Sequence, residues 1–180
     1  EVVEAIEALK GNGPADLTEL CIALAAHILC LAEKGDYAAC ENMVKKAIAD
    51  GSGLKTFADM VAAQGGNRAW ILHPENFPTA KYFHEVKARE EGYIVGVDTE
   101  SYGVASLLLG AGRNTKEDVI DPTAGIRLCK KTGDFVKKGE VLAILYSGKQ
   151  TGFAASEERL LQATKMGKTA PSQAPLILDA

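Results

Sequence analysis

Glycine-rich breaks at Gly11-Asn12-Gly13-Pro14, Gly35, Gly51 and Gly65-Gly66 cut the first 66 residues into four pieces of helical length. Glycine ends a helix by entering left-handed backbone at no steric cost, and proline by lacking an amide hydrogen. Between the breaks apolar residues recur at helical spacing; Val2, Ala5, Ile6 and Leu9, for example, share one face. This third of the chain therefore reads as a set of short packed helices. The first piece starts at Glu1 with neither a methionine nor a Ser, Thr, Asp or Asn cap before it, and the expectation is the C-terminal part of a longer chain. The second is expected to run from Asp16 to about Lys34, with Asp16 and Glu19 spaced as a capping box. Its residues Leu17, Leu20, Ile22, Leu24, Ile28, Leu29 and Leu31 surround much of the helix, which predicts burial within a helical layer. Asp36 is the expected cap of the third helix and Ser52 of the fourth.

The texture changes after residue 66. His73-Pro74 and Phe77-Pro78 are extended chemistry, because the residue before proline avoids the helical region, and 67–80 reads as a linker. Strands are expected over 81–88, 93–98, 124–130 and 140–146, with a helix over 101–110 and another over 154–166. Ile126 and Leu128 alternate with Arg127 and Cys129 as strand faces do, and Pro175-Leu176-Ile177-Leu178 reads as an extended end. The predicted class is α+β: a helical part at 1–66, a linker at 67–80, and a mostly antiparallel domain at 81–180.

Composition excludes several functions. A chain of 180 residues that is 47% apolar and 24% charged has the balance of a globular protein, not of a disordered tail. A net charge of −4 gives nucleic acid no electrostatic footing, and no apolar run approaches the span of a bilayer. The charged first residues do not resemble a secretory signal, and the expected compartment is the cytoplasm. Cys21, Cys30, Cys40 and Cys129 form no Cys-x-x-Cys pair and read as small buried residues in a reducing environment.

No motif carries catalysis by itself. Gln64-Gly65-Gly66-Asn67 follows a helix instead of opening one, so it reads as a helix stop and not a phosphate cradle. Gly110-Ala111-Gly112-Arg113 lacks the third glycine of a dinucleotide loop, and Arg113 reads as an ion-pair partner of Asp118 or Asp121. His27, His73 and His84 have no metal spacing, and His27 reads as a satisfied core or interface histidine. The expected catalytic and substrate-binding residues within these 180 are therefore none.

Two resemblances add to this reading. Gly133-Asp134-Phe135-Val136-Lys137-Lys138-Gly139-Glu140-Val141-Leu142 resembles half of a biotinyl/lipoyl-type barrel-sandwich hybrid, with Val136 and Leu142 entering the core. Carrier domains of that type present a modified lysine at a hairpin tip; here Met166 follows Lys165 in a predicted helix, so the fold is expected without the swinging arm. The second resemblance is carried by Glu1 through Leu20, by Gln64-Gly65-Gly66, and by Leu109-Gly110-Ala111-Gly112-Arg113 with Lys116-Glu117-Asp118 and Ile120-Asp121. In order and spacing these segments are similar to the C-terminal portion of the pyrimidine-nucleoside phosphorylase / thymidine phosphorylase family. That implies a fragment of a larger α/β enzyme, its second domain an α/β hammerhead. The parent would be a pentosyltransferase and homodimer that cleaves thymidine or uridine with inorganic phosphate. It implies no organic cofactor and, in bacterial members, a monovalent cation such as potassium. One position carries over: Glu4 stands where the family places a glutamate ligand of that cation. An AMP phosphorylase and a lipoyl/biotinyl-like interaction module are the alternatives.

Overall fold

A computed structural model describes residues 1–113, 115–172 and 175–178. The chain forms two compact units, one of Glu1–Phe77 with Pro175–Ala180 and one of Pro78–Ala174.

The first unit is helical: α1 (Val2–Leu9), α2 (Ala15–Leu31), α3 (Tyr37–Ala49), α4 (Ser52–Ala63) and α5 (Arg68–Leu72), with a 3-10 turn at Pro74–Asn76. Ile6, Ala58 and Ile71 form its buried core, with Leu54, Phe57, Val61 and Phe77 packed against them. Asp36 caps α3 as its chemistry predicts, accepting from the Ala39 amide at 2.8 Å. Gly65 leaves α4 at φ +82°, the left-handed stop expected there.

Four expectations change in this unit. Asp16 lies inside the first turn of α2 and accepts from the Leu17 amide, so the residue at the cap is Pro14, which has no side-chain acceptor, and no capping box forms. Ser52 opens α4 without capping it, and Asp50 accepts from its amide instead. The linker over 67–80 contains α5, because Asn67 supplies a cap to Ala69 and Ile71 gains a place in the core. α2 is not buried all round: Ala23 and Ala26 are covered, whereas Leu24, Ile28 and Leu31 are 55%, 64% and 86% exposed. Alanines on the covered face allow close backbone approach, but apolarity on the other faces brings no neighbour with it.

The second unit holds β1 (Tyr82–Lys87), β2 (Gly92–Val97), α6 (Thr99–Ser106), a wide turn at Leu107–Ala111, β3 (Gly125–Leu128), β4 (Phe135–Val136), β5 (Val141–Ser147), α7 (Phe153–Ala163) and β6 (Thr164–Gly167). They form two three-stranded antiparallel sheets, β1-β5-β3 and β4-β2-β6. Central strand β5 sets Tyr146 opposite Phe83 and Gly125, and Leu145 opposite His84 and Ile126. Val86, Leu109, Ala143, Leu145 and Leu160 make one buried cluster; Ala88, Ile94, Val136 and Leu142 make a second, and Leu161 packs on both. Val136 and Leu142 thus enter the core, as the glycine-punctuated 133–142 segment requires.

The helix expected over 154–166 ends at Ala163, and residues 164–167 are strand β6. Thr164 is β-branched, its hydroxyl donates back to the Leu160 carbonyl at 2.8 Å, and β2 offers the following backbone a partner, with Met166 opposite Ile94. The strand-like alternation near residue 126 also fails at its end, since Leu128 is 48% exposed where β3 forms the sheet edge.

Candidate functional site

A dense set of polar contacts in the second unit surrounds Asp121, in the loop after α6. Gly110 ends that helix at φ +105°, a conformation only glycine adopts freely, and turns its carbonyl to accept the Asp121 amide at 2.9 Å. One oxygen of the Asp121 carboxylate accepts from the Thr123 hydroxyl (2.7 Å) and amide (2.9 Å), and the other accepts from the Gly148 amide at 2.6 Å. The Thr123 hydroxyl and amide, the Gly148 amide and the charge of Lys149 hold this carboxyl below the usual aspartate range, against the opposing effect of burial. Next to it the buried Ser147 hydroxyl donates to the Leu109 carbonyl at 2.7 Å and accepts from the Lys149 amide. A carboxylate engaged on both oxygens by donors of its own fold is a poor base and a poor ligand. The arrangement pins the end of α6 to the end of β5.

This geometry decides the glycine-rich segment. Gly110-Ala111-Gly112 is a helix stop closed by Asp121, and among the described residues no helix begins between it and β3 to aim amides at a phosphate. The ion pair expected for Arg113 does not form among the described residues: Arg113 is exposed, Asp121 is engaged as above, and Asp118 accepts from the Thr115 amide and hydroxyl.

The other candidates lie apart. Glu4 is exposed on α1, and its carboxylate makes no hydrogen bond or ion pair to another described residue. No group of three or more His, Cys, Asp or Glu among the described residues could hold a metal ion. A single carboxylate offers one or two oxygens where a cation wants about six, so Glu4 does not make a site alone. His27 is half-buried on α2 with its ring 4.9 Å from that of Tyr37, and His73 pairs with Glu75 at the surface. Lys165 lies within β6, opposite Gly96, where no hairpin tip exists to present it.

Two pairs escaped the sequence. His84 on β1 meets Glu157 on α7 at 2.8 Å, a contact across 73 residues that no local spacing signals. Cys40 is fully buried, donates to the Gly35 carbonyl at 3.5 Å, and has its thiol pushed up by burial and by the Cys30 thiol beside it. Cys21 and Cys129 are exposed, contrary to the expectation that all four cysteines are buried. Both lie where no core is within reach: Cys21 on the open side of α2, Cys129 just past the edge strand β3.

Residues 93–167, from β2 to the end of β6, match the family model described as the pyrimidine nucleoside phosphorylase C-terminal domain. Over 179 residues, 99% of the chain, the sequence is 42% identical to a pyrimidine-nucleoside phosphorylase of Geobacillus stearothermophilus. Residues 93–167 thus match a pyrimidine-nucleoside phosphorylase domain, and the whole chain is similar to part of such enzymes. It is also 45% identical over 148 residues to the Staphylococcus epidermidis member, and 44% identical over 151 residues to that of Staphylococcus aureus. It spans 41% of the length of the Geobacillus phosphorylase and 34% and 35% of the two staphylococcal ones. The model of the phosphorylase C-terminal domain falls entirely inside the second unit, on the two antiparallel sheets.

Proposed function

We propose that this chain is the C-terminal part of a pyrimidine-nucleoside phosphorylase whose active site lies outside these 180 residues. The observation that carries the reading is the 42% identity over 99% of the chain to the Geobacillus enzyme, joined to a match for a C-terminal domain. The parent reaction is phosphorolysis: a phosphate oxygen bonds to the sugar anomeric carbon as the carbon–nitrogen bond breaks and its electron pair leaves on the pyrimidine. Free base and (deoxy)ribose 1-phosphate result. Such a step needs oriented positive groups for the departing anion and the phosphate, and a water-free cleft for the oxocarbenium-like sugar. This chain supplies scaffold to that cleft. Its second unit is an α/β hammerhead of barrel-sandwich type, a reading supported by the paired antiparallel sheets and by the burial of Val136 and Leu142. The parent is a cytoplasmic homodimer in this reading. Glu4 is the one ligand this chain would contribute to a monovalent cation. The apolar outer face of α2, with Leu24, Ile28 and Leu31, is covered there by the remainder of the enzyme.

The test is phosphate-dependent release of thymine and uracil from thymidine and uridine by the longer protein. Release of both bases with formation of the sugar 1-phosphate is expected. Cleavage of AMP with no activity on thymidine or uridine would move the parent to the AMP phosphorylases.

A further inference from the structure

We propose that the C-terminal segment Pro175–Leu178 is a strap that holds the α1–α2 turn against α3 by seating Ile177 in the groove between them. The groove has a volume of about 550 Å3, and its walls include Gly11 and Gly13 of the turn, Ile22 and Ala23 of α2, and Tyr37 and Lys45 of α3, together with Ile177. The tail groups with the helical unit even though the whole of Pro78–Ala174 separates it from Phe77 in sequence. Within Leu176-Ile177-Leu178 only the middle residue is half-buried, and its neighbours are 48% and 79% exposed. The chain bends at Leu176 and Leu178 instead of running extended as expected, and a strap touching by one residue leaves this pattern. Pro175 narrows the backbone freedom that docking must remove.

The strap bears on the entry to α2. Pro14 at the cap of α2 has no side-chain acceptor, so no capping side chain fixes this end of the helix. Ile177 is apolar and shares the lining of the groove with Ile22 and Ala23 of α2 and Tyr37 of α3, so burying it there ties the two helices together.

Hydrogen exchange followed by mass spectrometry on the full chain tests this. With Ile177→Asp, peptides covering 11–23 and 37–45 should exchange about fivefold to tenfold faster, the loss of roughly one partly buried aliphatic side chain. A chain ending at Ser172 should show the same acceleration. Leu178→Asp, a charge at an exposed neighbour, should leave exchange unchanged, as should the β5 peptide 141–147 in every variant. Unchanged exchange at 11–23 and 37–45 in Ile177→Asp, equal acceleration in Leu178→Asp, or acceleration extending equally to β5 would each overturn the proposal.

Discussion

α2 and β5 are both strongly apolar, and they meet opposite fates. β5 buries Leu142, Ala143, Leu145 and Ser147 between elements of its own unit. α2, with more large aliphatic residues, buries only two alanines and leaves Leu24, Ile28 and Leu31 in the open. The difference lies in the partners and not in the sequence patterns. A central strand is enclosed by the neighbours it pairs with and by the helix above, so its burial follows from the sheet topology. A helix carries its backbone hydrogen bonds within itself and forms whether or not each apolar face is met. The β unit is thereby self-sufficient, whereas the helical unit displays a face that wants a partner.

The sharpest way to break that contrast is to truncate one residue on each side. Leu145→Ala should destabilise the β unit by about 2–5 kcal/mol in denaturant unfolding, because Leu145 is fully buried in its main cluster. Ile28→Ala should change stability by less than about 0.5 kcal/mol, since Ile28 is 64% exposed. Comparable losses would mean that α2 packs where it is described as open. A smaller effect is expected at Asp121. Removing its carboxylate with Asp121→Ala leaves the Gly148 and Thr123 amides without their acceptor and should cost about 1–3 kcal/mol. A substitution at an exposed acid such as Glu117 should cost almost nothing.

Asp121 also gives the β unit a pH dependence whose sign is fixed. Its carboxyl is held below the unfolded value of about 3.9 by the Thr123 and Gly148 donors and by Lys149. The stability it contributes is present above that unfolded value and is lost as pH falls through the lower folded one. In Asp121→Asn the acid loss of stability should be shallower than in the wild type, measured by urea midpoints between neutral and strongly acidic pH. Thiol labelling is the mildest probe of the contrast. Cys21 and Cys129 should alkylate first and Cys40 last, because Cys40 is buried and its raised thiol supplies little thiolate near neutrality. Early labelling of Cys40 would show that the α2–α3 contact opens readily.

What the sequence made legible was local. The Asp36 cap, the glycine stop at Gly65, and the turns that seat Val136 and Leu142 each depend on a few adjacent residues, and each forms as its chemistry dictates. Strand β6 was read as helix because its reason for being a strand, the β2 backbone about 70 residues earlier, is absent from any local window. The bond between His84 and Glu157 and the closure of Gly110 by Asp121 across to Gly148 were hidden for the same cause. Asp16 shows a subtler failure: the correct residue types at capping-box spacing lie two positions too far into α2, because Pro14 already occupies the cap. The family was legible for yet another reason. Its segments are spread along the chain in a fixed order, and their joint spacing carries more information than any one motif.

The most direct test is a phosphate-dependent thymidine and uridine cleavage assay on the 180-residue chain and on the longer protein containing it, at matched concentrations. Cleavage by the longer protein and none by the 180-residue chain is the predicted result. Phosphorolysis by the 180-residue chain alone would contradict the account and place a working active site within these 180 residues.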